Sequence, residues 1–244
     1  MPKRTNMKAE TKNRTIEGYM QDEYVQVEEF GPTTRFLHWV RAISICILMA
    51  SGFYIAYPFL ESVSNGEPVN FTQGYVRSVH IMVGFILICA SIFRVYLFIF
   101  AKSSRFERIS FLQFFNPIIW IKVIGTYLFL AKHPHIKGAY NPLQLLVYFA
   151  LAVLVLVISL TGVAMYCNVY HNGLAWALAP LVKWVEVSCG GLANVRSVHH
   201  IATWCFIIFI PVHVYMVIWN SVKFHNGGAD VMVSGIRYVK RDER

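Results

Sequence analysis

Apolar residues run through four long stretches of the chain, residues 36 to 58, 76 to 100, 143 to 167 and 198 to 222, with polar segments between them. A helix needs roughly 20 apolar residues to cross about 30 Å of hydrocarbon, and each of the four is long enough. The pattern predicts an all-α integral membrane four-helix bundle with short interfacial helices. Three parts are expected: a tail over residues 1–35, a four-span domain over 36–222 and a second tail over 223–244. A fifth apolar run, from Phe111 to Ala131, is broken near its start by Asn116-Pro117 and carries Lys122 in its middle. A central Lys costs about 2.5 to 3.5 kcal/mol on insertion, so this run is expected to lie at the interface or in a loop. The stretch from Leu174 to Val187 contains Pro180, Lys183 and Glu186 and is expected to lie along the surface. The first 35 residues are polar and hold no apolar core of a cleavable signal peptide.

Composition agrees. Of 244 residues, 56% are hydrophobic and 14% are charged, well below the roughly 25% charged residues of soluble domains. The formal charge of +9 is concentrated in the two tails and in the middle loop between the second and third spans. By the positive-inside rule, both termini and that middle loop are expected in the cytoplasm. This distribution argues for membrane orientation and against a nucleic-acid footprint. The five cysteines form no C-x-x-C and no C-x-x-C-H, which leaves covalent c-type haem and a dedicated zinc or iron-sulfur motif without support.

Ionisable residues within spans are costly and mark function by default, and here they are mostly histidines. His38 stands near the inner start of span one, His80 near the outer start of span two, and His199 with His200 near the outer start of span four. His213 follows His199 by 14 residues, about 21 Å along a helix and within about 40° of the same face. His200 projects elsewhere. Two pairs at two depths result, His80 with His199 and His38 with His213, and facing imidazoles of this kind hold haem iron axially. The competing reading for any one of them is a helix-to-helix hydrogen bond.

Arg77-Ser78-Val79-His80 recurs as Arg196-Ser197-Val198-His199, and Arg35 stands three residues before His38. Each Arg is a candidate partner for a haem propionate, because a guanidinium bonds both carboxylate oxygens; the alternative is a plain interface anchor. Gly52 and Gly84 are weaker candidates for close approach by a helix or a flat macrocycle. Arg94 follows His80 by 14 residues and so faces the same way at inner depth.

Phe36-Leu37-His38-Trp39, Gly52-Phe53-Tyr54, His80-Ile81-Met82-Val83-Gly84, Tyr140-Asn141-Pro142-Leu143, Arg196-Ser197-Val198-His199-His200 and Met232-Val233-Ser234-Gly235-Ile236-Arg237 together resemble the cytochrome b subunit of membrane-bound nickel-iron hydrogenases. The resemblance covers about residues 30 to 240. It implies a multi-pass bacterial inner-membrane protein with two b-type haems, ligated by His80 with His199 and by His38 with His213. It further implies docking to an iron-sulfur small subunit and a nickel-iron large subunit on the outer face, and transfer of electrons through both haems to membrane quinone. Asn141, His135 and Arg94 are the candidate quinone contacts, with a helix N-cap as the competing role for Asn141. The similar cytochrome b anchors of formate dehydrogenase and thiosulfate reductase are the nearest alternative. A haem-free transporter or structural anchor is the alternative from another class; a transporter would be expected to show discontinuous spans or repeats across its halves.

Overall fold

The computed structural model describes residues 24–59, 72–128, 130, 141–224 and 230–240. His135, and with it one candidate quinone contact, lies outside the described residues. Four helices are long and apolar enough to cross a membrane: α1 (Pro32–Ala56), α2 (Thr72–Phe100), α5 (Pro142–Val169) and α7 (Leu192–Phe224). A helix satisfies every backbone group within its own segment, which is why uninterrupted apolar runs take this form in lipid. At most 11% of any of the four spans is buried inside the chain, so lipid or bound groups must cover the rest.

Each long helix starts earlier than apolarity alone suggests, because hydropathy reads only the part within hydrocarbon while the helix runs on into the interface. α1 begins at Pro32, behind Gly31, where a missing N–H costs nothing. α5 begins at Pro142 with a reciprocal capping box: Asn141 accepts from the Gln144 backbone at 2.8 Å, and the Gln144 side chain accepts from the Asn141 backbone at 3.1 Å. α7 begins at Leu192, after a Gly190-Gly191 turn in which both residues have positive φ.

The described part of the fifth apolar run falls on the end of one short helix, α3 (Arg105–Phe114), and on a second, α4 (Pro117–Tyr127). Asn116 caps α4, accepting from the Ile118 backbone at 3.0 Å. Eleven residues extend about 16 Å, half of what a span requires. α6 (Leu174–Cys189) is likewise too short to cross. It packs on α5 and α7 around Ala164, Val182, Val185 and Val195, with Cys167 and Cys189 against the same cluster as free thiols.

The long helices form two hairpins. α1 packs along α2 and α5 along α7, while backbone approaches between the two hairpins are sparse. Both described chain ends meet at one end of the bundle, here called the tail end. There β1 (Tyr24–Glu28) pairs antiparallel with β2 (Ile236–Lys240), Glu28 opposite Ile236. Two segments read as tails thus form a small sheet that sequence pattern did not predict. A short helix, α8 (Val231–Ser234), leads into β2 through Gly235 at φ 83°.

Side chains fasten that end. Arg35 donates to the carbonyl of Val233, and the Trp39 indole donates to the carbonyl of Met232 at 2.9 Å. A Cβ at position 235 would meet the Phe30 carbonyl oxygen at 2.9 Å, so glycine is required there twice over, by φ and by space. Buried Glu29 pairs with Arg237 at 2.6 Å. Burial pushes the Glu29 carboxyl up to about 7, a rise that the Arg237 guanidinium opposes and the Glu107 carboxylate assists.

Candidate functional site

Helix register and antiparallel direction bring four histidines together as two pairs. His38 of α1 faces His213 of α7 near the tail end, and their ring centroids are 6.4 Å apart. His80 of α2 faces His199 of α7 toward the far end, with the same 6.4 Å separation. His199 is half-buried, whereas its neighbour His200 is exposed, as their angular positions on α7 dictate.

The separation distinguishes two roles. Imidazoles joined by a direct hydrogen bond of about 2.9 Å would have centroids about 5.3 Å apart. An imidazole nitrogen bonds a metal ion at about 2.0 Å and lies about 1.2 Å from its ring centroid, so two rings sharing one ion in line stand about 6.4 Å apart. Both pairs match the second spacing. Among the described residues no group of three or more His, Cys, Asp or Glu side chains converges. A metal held by either pair would take its remaining ligands from a non-protein group, as haem iron does from the macrocycle. The sparse approach of the two hairpins fits a flat group between them.

The far pair is held from behind. Ser51 Oγ of α1 lies 2.9 Å from His80 Nδ1, and Thr161 Oγ1 of α5 lies 3.0 Å from His199 Nδ1. The next residue in each case is a glycine under the same ring: a Cβ on Gly52 would stand 3.3 Å from His80 Cε1, and one on Gly162 would stand 3.4 Å from His199 Cε1. Gly84 has no such role, its nearest neighbour being Leu48 at 4.0 Å. Ser51, Thr161 and Gly162 did not emerge from the sequence reading. The signal available was the repeated hydroxyl-then-glycine dipeptide in spans one and three, visible only once both were known to face a histidine.

The near pair has aromatic surroundings. Phe209 stacks on His213 with centroids 5.3 Å apart, and Trp39 meets His38 edge-on at 5.7 Å.

The other expected site residues divide. Arg77 and Arg196 are exposed at the far end, one turn beyond His80 and His199. Arg35 is at the tail end one turn from His38, with part of its donor capacity taken by Val233. Arg94 forms an ion pair with buried Glu107 of α3, and its buried Nη1 has no hydrogen-bond partner among the described residues. Asn141 is buried, and its side-chain oxygen caps α5. The capping role weighed for Asn141 is therefore present.

A multi-pass helical bundle with paired imidazoles at two depths defines a membrane-cytochrome class of protein. The chain belongs to the prokaryotic cytochrome b561 family, which it matches over residues 29–235. It is 28% identical over 225 residues to a probable Ni/Fe-hydrogenase B-type cytochrome subunit of Rhizobium leguminosarum bv. viciae, covering 91% of this chain and 92% of that one. It is 30% identical over 212 residues to the protein of the same description from Azotobacter chroococcum mcd 1, covering 85% and 87%. A probable Ni/Fe-hydrogenase 1 B-type cytochrome subunit of Escherichia coli (strain K12) is 25% identical over 222 residues, covering 90% and 94%.

Proposed function

We propose that this chain is the di-haem cytochrome b anchor of a nickel-iron uptake hydrogenase. The observation that carries the reading is the pair of 6.4 Å imidazole separations at two depths of one bundle. His80 and His199 would hold the outer haem, and His38 and His213 the inner one. Two b-type haems, when bound, supply carriers through which electrons from the iron-sulfur small subunit reach membrane quinone. The chain's part would be to hold these groups at fixed depth through the four imidazoles and to exclude water from around them; two imidazoles on each iron would suit electron transfer rather than oxygen binding.

The tail end is cytoplasmic in this reading, since the basic tails and the basic middle loop belong there. The far end then faces the periplasm, with α6 and the far-end loops toward the hydrogenase subunits. Arg77 and Arg196 stand where they would meet outer haem propionates, and Arg35 where it would meet an inner one. Quinone would be reduced beside the inner haem, within reach of cytoplasmic protons. Arg94, at that depth and with its buried Nη1 unpartnered among the described residues, is the stronger of the described contacts for a quinone or carboxylate oxygen. Asn141 has its oxygen committed to the cap.

The relatives favour a hydrogenase partner over formate dehydrogenase or thiosulfate reductase. The test is the purified complex supplied in turn with hydrogen and with formate, with quinone reduction as readout. Hydrogen-dependent reduction is expected. Reduction by formate alone would replace the partner, and a complex with no b-type signal in the reduced-minus-oxidised spectrum would remove the haem reading altogether.

A further inference from the structure

We infer that Ser51 and Thr161 are positioning residues that fix the tautomer of His80 and His199 and hold the outer haem at a lower potential than the same site without them. The inference rests on the proposed ligand role of that pair, and begins from the direction of the hydrogen bonds.

A hydroxyl has one proton. Ser51 Oγ is 2.7 Å from the carbonyl of Ile47 and 3.3 Å from that of Leu48. Thr161 Oγ1 is 2.8 Å from the carbonyl of Val157 and 3.1 Å from that of Ile158. Carbonyls only accept, so each hydroxyl proton is committed to its own helix. What the oxygen then offers the histidine is a lone pair. Nδ1 of each ring must therefore carry the proton and donate it, at 2.9 Å from His80 and 3.0 Å from His199.

A neutral imidazole protonated at Nδ1 has its free lone pair on Nε2, the form required of an axial ligand bonding through that atom. A hydrogen bond donated by the rear nitrogen raises the basicity of the ligating one and fixes the ring's orientation. A more basic ligand stabilises the ferric state over the ferrous state and lowers the potential. Among the described residues no corresponding hydroxyl reaches His38 or His213, whose rings have Trp39 and Phe209 beside them. The device acts on one haem of the two. His80 has Ser51 and His199 has Thr161 as the described acceptor, so the two positions are equivalent in kind.

The experiment uses the purified hydrogenase complex carrying single variants, with haem content measured and midpoints read by optical redox titration. Ser51→Ala and Thr161→Val are expected to retain two haems and to shift one midpoint upward. Thr161→Ser keeps the hydroxyl and is expected to titrate as the unaltered protein. The haem that shifts should be the one missing from His80→Ala. Unmoved midpoints in Thr161→Val and in any Ser51→Ala complex that keeps both haems would overturn the inference. So would a shift confined to the haem that is lost in His38→Ala, or an equal shift in Thr161→Ser and Thr161→Val. If Ser51→Ala loses its haem, the Thr161 pair decides. Retention of both haems by His80→Ala would instead overturn the ligand assignment on which the inference rests.

Discussion

An alanine at Gly52 would place a methyl group 3.3 Å from Cε1 of His80, closer than ordinary van der Waals contact. Either the ring gives by a few tenths of an ångström or α1 moves away from α2. The ring is not free to move, since Ser51 holds its Nδ1 at 2.9 Å and His199 faces it across the gap. Overpacking of this kind costs about 1 to 3 kcal/mol, while alanine in place of glycine returns up to about 1 kcal/mol of helix propensity. Gly84→Ala supplies the internal control. It gains the same propensity, and its new methyl would meet Leu48 at an ordinary 4.0 Å. The difference between the two variants is thus about 1 to 3 kcal/mol, or about 5- to 150-fold in retention of the outer haem, and it should fall on the His80 site. Purified variants heated in steps, with bound haem followed by its absorbance, measure this directly. Gly84→Ala should release haem as the unaltered protein does, Gly52→Ala should release one haem earlier, and Gly162→Ala, with its 3.4 Å contact, should lie between them. Identical release from Gly52→Ala and Gly84→Ala would refute the reasoning that the glycine makes room for the ring.

Other consequences follow from the same geometry. His199→Ala should remove one haem and His200→Ala neither, measured by haem content per chain; equal losses would contradict the facing of α7. Gly235→Ala should destabilise the tail end by about 1 to 2 kcal/mol for its left-handed backbone alone, with crowding against Phe30 in addition, and should speed proteolysis at the β2 strand. Glu29 should make stability fall as pH rises from its ordinary carboxylate value toward about 7, because the folded state holds the proton more tightly than the unfolded state. Arg237→Ala removes the charge that opposes this rise, so the loss should deepen and extend above pH 7, read as thermal stability across pH.

Much of the fold was legible because lipid imposes simple rules. Long apolar runs and the broken run at Asn116-Pro117 needed no knowledge of packing to interpret. Fourteen-residue spacing likewise brought His199 and His213 to one helix face at two depths, since helix geometry is independent of neighbours. The tail sheet was not legible. β1 and β2 are five residues each and pair across the whole chain, so neither carries enough local pattern to announce the other. Ser51 and Thr161 were hidden for a related reason: a hydroxyl in a membrane helix ordinarily bonds its own backbone, and both do so here. Only the position of a neighbouring helix gives the remaining lone pair a second use. Arg35 shows the limit from the other side. Its place one turn from His38 was readable, but the contact that it makes with Val233 depends on how the C-terminal segment folds back.

The central claim is that two imidazole pairs each hold one haem in a path from hydrogen to quinone. The most direct measurement is haem content and hydrogen-reduced absorbance of the purified complex, compared with its His38→Ala and His80→Ala variants. Two b-type haems per chain are predicted in the unaltered protein, both reduced by hydrogen. Each variant should lack a different one, with the outer haem still reduced by hydrogen in His38→Ala. A single haem in the unaltered protein, or the same haem missing from both variants, would contradict the account.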